Sequence, residues 1–65
     1  MASEGAFIQV SHDRADDVSY WLEVRGVSHT MRWTRTGVEF DLGRHGVAQP
    51  GDWIRVANGR VKINP

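Results

Sequence analysis

The chain has 65 residues, enough for one small core that buries only about 60% of its unfolded surface. Eight Lys and Arg balance eight Asp and Glu, which argues against a generic polyanion binder with a basic excess. Cysteine is absent, so neither a disulfide framework nor a thiolate metal site staples the fold.

Taken in order, Met1–Glu4 reads as a loose end, and Ile8 and Val10 alternate with Gln9 and Ser11 as a first strand. Asp13-Arg14-Ala15-Asp16-Asp17 reads as a polar turn. Val18, Tyr20, Leu22 and Val24 then alternate with Ser19, Trp21, Glu23 and Arg25, the period of a half-buried strand. Arg25-Gly26-Val27 is a tight corner, assigned to a type II′ turn led by Gly26. Val27, His29, Met31 and Trp33 continue the apolar face beyond it, and Thr36-Gly37 turns that strand onto Val38, Phe40 and Leu42. Gly43–Asp52 is the longest loop, with room for one 3₁₀ turn. Ile54 and Val56, then Val61 and Ile63, flank Asn58-Gly59, the strongest hairpin signal in the chain, because both central positions of a type I′ turn need positive φ. That loop sets Val56 opposite Val61, Ile54 opposite Ile63 and Arg55 opposite Lys62. Asn64–Pro65 reads as a second loose end.

No stretch carries a convincing apolar spacing of three and four, so no helix longer than about two turns is expected. Residues 1–65 therefore read as one all-β domain, a five- to six-stranded antiparallel barrel with an SH3-like meander. An oligonucleotide/oligosaccharide-binding barrel is the alternative, disfavoured because its helix has no sequence here. The expected core comprises Ile8, Val10, Val18, Tyr20, Leu22, Val24, Met31, Trp33, Val38, Phe40, Leu42, Ile54, Val56, Val61 and Ile63. No apolar run approaches the roughly 18 residues of a membrane span, and no secretory signal is evident, which gives cytoplasmic as the expected location.

The neutral total conceals a division. Met1 to Glu23 carries a net charge of −4, and Val24 to Pro65 a net of +4. Of the eight basic residues seven are Arg, which coding bias alone can produce but which also suits bidentate or stacked contacts. His12, His29 and His45 fall in different elements, so no nucleophile–base pair is assembled by spacing, and no catalytic residue is assigned. His29 reads as a satisfied histidine at the rim of the core. His12 with Asp13, Asp16 and Asp17 lacks the glycine and distal glutamate of a calcium loop and reads as a solvated turn. No metal and no cofactor is expected.

Alternation leaves Trp53, Arg55, Arg60 and Lys62 on the outer face of the last hairpin, and Trp21, Arg25 and Arg32 on that of the second. Arg44 and His45 mark the long loop. Stems of Arg and Lys commonly cover apolar surface, the ordinary explanation of such a face. Exposed Trp with Arg also forms the anchors of protein interfaces, or a platform on which single-stranded nucleic acid stacks.

The run Pro50-Gly51-Asp52-Trp53-Ile54-Arg55-Val56, followed by Gly59-Arg60-Val61, resembles the closing hairpin of small uncharacterised bacteriophage proteins, which end in a Gly-Asp-Trp-Ile strand, a turn with Gly and another strand. A fainter likeness, to bacterial translation initiation factor one, rests on the Pro-Gly-Asp entry and Gly-Arg-Val exit. The phage resemblance implies a short accessory protein, an inhibitor of a host protein or a minor virion component, residing in the host cytoplasm or the virion. It transfers no catalytic residue. The leading expectation is a non-catalytic protein-interaction module, acting on a protein partner or through self-association and anchored by Trp21, Trp53, Arg55 and Arg60. The alternative is a single-stranded nucleic-acid binder using Trp53, Arg25, Arg32, Arg55, Arg60 and Lys62.

Overall fold

The computed structural model describes residues 5–65; the loose end expected at Met1–Glu4 lies outside them. Six strands and one α-helix follow in the order β1 (Ala6–Gln9), a 3₁₀ turn (His12–Arg14), α1 (Ala15–Val24), β2 (Thr30–Thr34), β3 (Gly37–Asp41), a second 3₁₀ turn (Gly43–His45), β4 (Val47–Ala48), β5 (Trp53–Ala57) and β6 (Arg60–Asn64). They form two three-stranded antiparallel sheets, ordered β1-β5-β6 and β2-β3-β4. The mostly β composition is as expected. The closed barrel, SH3-like or otherwise, is not: the two sheets share no ladder, and a helix stands where a strand was expected.

The helix has a physical explanation. Val18 and Leu22 are four apart, a separation that satisfies both a strand face and one helical turn. With Ala15 they make the buried spacing of three and four, and Trp21 packs beside them half-buried. Ser11 begins the segment by accepting a hydrogen bond from the Asp13 N–H, at 3.3 Å, and the 3₁₀ turn runs straight into α1. Asp16 and Asp17 lie in the first turn, where carboxylates complement the helix dipole. At the other end Val27 N–H donates to the Leu22 carbonyl at 2.9 Å, and Gly26 N–H to that of Glu23 at 3.0 Å. These two bonds, with Gly26 at φ +73°, are a Schellman motif. Gly26 therefore ends a helix and does not lead a type II′ hairpin. The helix also corrects the core: Tyr20 and Val24, expected inside, are 69% and 61% exposed on its outer side.

The other two hairpin expectations hold. Asn58 and Gly59 have φ of 53° and 75°, and β5 pairs with β6 in the anticipated register, Val56 with Val61, Ile54 with Ile63 and Arg55 with Lys62. Asn64 closes that ladder opposite Trp53, so it belongs to β6 and is not a loose end. Thr34 pairs with Gly37 across the Arg35-Thr36 turn, bringing Met31 opposite Phe40 and Trp33 opposite Val38. The long loop holds its 3₁₀ turn and the two residues of β4.

Val10, Ala15, Val18, Leu22, Val38, Phe40, Leu42, Ala48 and Ile54 are buried in one cluster, drawn from both sheets and the helix. Ile8, Met31, Val56, Val61 and Ile63 pack half-buried against it. Trp33, expected inside, shares a face with Val38 but is 62% exposed, because β2 is an edge strand and Trp33 lies near its end.

Candidate ligand-binding face

Because β1 pairs with β5, the face of the β1-β5-β6 sheet turned away from the core is built from three separate segments. Alternation in β5 turns Ile54 and Val56 inward and Trp53 and Arg55 outward. The ladder sets Phe7 opposite Arg55 and Gln9 opposite Trp53 on one side. On the other it sets Lys62 opposite Arg55 and Arg60 opposite Ala57. The result is one surface carrying Phe7 and Trp53, which are 57% and 43% exposed, together with Arg55, Arg60 and Lys62.

Arg55 lies at its centre. Its guanidinium carbon is 5.5 Å from the centroid of the Phe7 ring, and the side chain passes close over Gly5. No carboxylate comes from the face residues of these three strands, and among the described residues none pairs with Arg55, Arg60 or Lys62. The surface therefore combines two aromatic rings with three cations that have no carboxylate partner among the described residues. Phe7 was not among the expected site residues, since nothing local in the first strand signals its pairing with β5.

The other expected site residues are not on this face. Trp21 and Arg25 belong to the helix and its cap. The guanidinium of Arg25 stacks over the Trp21 ring at 4.1 Å, and its Nη1 donates to the Trp21 carbonyl at 3.3 Å. Trp21 is thus half-buried against the core. Arg32 is in β2, where it donates from Nε and Nη2 to Glu39 Oε2 at 3.1 and 2.9 Å and lies 3.3 Å from Asp41. The shared outer face expected for Trp21, Arg25 and Arg32 does not form, because a helix replaces the strand that would have carried the first two. Arg44 and His45 are exposed on the second 3₁₀ turn.

His29 has both ring nitrogens engaged. Nδ1 donates to the Val27 carbonyl at 2.9 Å, since a carbonyl can only accept, and Nε2 lies 2.8 Å from the Ser19 hydroxyl. The pair fastens the middle of α1 to the segment entering β2. His12 is 3.5 Å from Asp13, and among the described residues no three His, Asp or Glu side chains converge where they could hold a metal ion. No helix among those residues is long and apolar enough to cross a membrane.

Compared with protein-family models, curated proteins and solved structures, the chain matches none of them.

Proposed function

We propose that the outer face of the β1-β5-β6 sheet binds single-stranded nucleic acid, with bases stacking on Phe7 and Trp53 and phosphates meeting Arg55, Arg60 and Lys62. The observation that carries this reading is the pairing of Arg55 directly opposite Lys62. Like charges facing each other across a ladder are unfavourable, and among the described residues no acid relieves them. A polyanion laid along the sheet does, while the two flat rings supply sequence-tolerant stacking. A protein anchored in the same place would need its own carboxylates opposite all three cations.

A protein partner has separate support on the helix. Tyr20 and Val24 are one turn apart and both largely exposed, a small apolar stripe of the kind a protein contact covers. This second reading keeps the interaction module inferred from sequence but seats it on α1. The phage-accessory reading is compatible with either, and its resemblance coincides with the entry to β5 and the start of β6.

Titration with a labelled oligothymidylate, read by Trp fluorescence, tests the first reading. Stacking is worth about 1–3 kcal/mol per base, so Trp53→Ala should weaken binding about 5- to 150-fold. Its melting temperature should change little, because the ring is surface-borne. Three phosphate contacts should also reduce affinity about 20-fold between about 50 and 200 mM salt. Absence of quenching at the lower salt, or quenching unaltered in Trp53→Phe/Phe7→Ala, would exclude the sheet as the binding face.

A further inference from the structure

A cleft of about 630 Å³ opens beside the tip of the β5–β6 hairpin. Its apolar wall comes from Val27, Val56 and Val61, and its rim carries Arg25, Arg44 and His45. Among the described residues Asp41 is the only carboxylate lining it, and that group is already engaged. Asp41 Oδ1 accepts from the Gly43 N–H at 2.8 Å, and Oδ2 lies 3.3 Å from Arg32. Neither Arg25 nor Arg44 has a carboxylate partner among the described residues. The cleft is therefore a cationic recess with an apolar wall.

Its position gives it a ligand. Val61 borders both this cleft and the hollow on the sheet side formed by Arg55, Arg60 and Lys62. Gly59 lines the cleft and Asn58 the hollow, so the two meet at the Asn58-Gly59 turn. We propose that a single strand bound on the sheet continues over this turn into the cleft, where Arg25 and Arg44 take its phosphates and the valines receive a base. This inference rests on the sheet reading and extends its footprint from three cations to five. It also gives roles to Arg25 and Arg44, which lie away from the sheet face.

Oligothymidylates of about 4 and about 12 nucleotides, within the range one small domain covers, test the extension. Counterion release on single strands adds about 0.7 per phosphate to the slope of log affinity against log salt. The short strand should give a slope near −2 and the long one near −3.5. Arg44→Ala should bring the long-strand slope closer to zero by about 0.7, lower its affinity severalfold, and leave the short strand unchanged. Arg25→Ala should do the same, and Arg44→Ala keeps the test valid if loss of the helix cap unfolds the Arg25 variant. Equal slopes for the two lengths, with both quenching Trp53, would overturn the extension and leave the sheet reading standing. Absence of Trp53 quenching by either length would overturn the sheet reading and this inference with it. Poly-glutamate that binds the wild type but not Arg44→Ala, while the long strand fails to distinguish them, would assign the cleft to an acidic protein segment instead.

Discussion

Gly5 determines how Arg55 presents its charge. A Cβ at that position would lie 2.6 Å from the Arg55 Nε and 3.2 Å from its Cγ, too close for the side chain to keep its path across β1 toward Phe7. The missing side chain thus lets a guanidinium lie over one strand and beside an aromatic ring, held before any ligand arrives. An exposed contact of this kind is worth about 0.5–1 kcal/mol. Gly5→Ala should therefore lower oligonucleotide affinity about 2- to 5-fold by releasing Arg55. Thermal melting should fall only modestly, because the Arg55 side chain can move aside and the Ala57 Cβ, 3.2 Å away, need give only slightly. Affinity unchanged in a folded Gly5→Ala variant would show that the orientation of Arg55 does not matter. Arg32 presents the opposite case, since its fork is already occupied by Glu39 and Asp41 and its charge is compensated within the β2-β3-β4 sheet.

At the scale of elements, the ends of α1 carry as much information as its middle. Gly26 has φ +73° and nothing within 4 Å of the position a Cβ would take, so its requirement is conformational and not steric. Gly26→Ala should cost about 1–2 kcal/mol, read from chemical denaturation, and Gly26→Asn should cost less, since Asn tolerates the left-handed region. Equal costs for both would argue that the Schellman cap does not limit helix stability. The same glycine explains why the helix was hidden in the sequence. Glycine suits the first position of a type II′ turn as well as a helix end, and Val18 and Leu22 fit either period. Trp21 was the residue that could discriminate, because a strand turns it away from Val18 and Leu22 whereas a helix sets it beside them. The β5–β6 hairpin was legible because its cause is local, two adjacent residues that accept positive φ. The other half of the binding face was not, since Phe7 meets Arg55 through a pairing between strands at opposite ends of the chain. Trp33 was assigned the correct side of its strand, but alternation says nothing about whether that strand lies at an edge.

For the molecule as a whole, a net charge of zero describes neither side of it. Asp13, Asp16, Asp17 and Glu23 lie on the first 3₁₀ turn and α1, whose apolar stripe packs into the core, whereas Arg55, Arg60 and Lys62 face away from that core. The shorter dimensions of the fold are 21 and 20 Å, so the carboxylates are within reach of the field felt by an approaching polyanion. Two charges 20 Å apart in water interact by about 0.2 kcal/mol. Summed over two carboxylates and three phosphates, and screened over a Debye length of about 30 Å at 0.01 M salt, this amounts to about 0.6 kcal/mol. Asp16→Asn/Asp17→Asn should thus tighten oligonucleotide binding about 3-fold at 0.01 M salt, by the same arithmetic. At 0.15 M, where the screening length of about 8 Å is shorter than the fold is thick, the gain should vanish. The same variant should lose about 0.3–1 kcal/mol of stability for each carboxylate removed from the start of the helix. Its melting temperature should fall while its low-salt affinity rises. Arg60→Ala/Lys62→Ala should instead weaken binding at both salt concentrations, because those charges act by contact. Tighter binding by the Asp16/Asp17 variant that persisted at 0.15 M salt would place the acidic turn beside the ligand, and the strand would then have to run over α1 and not over the sheet.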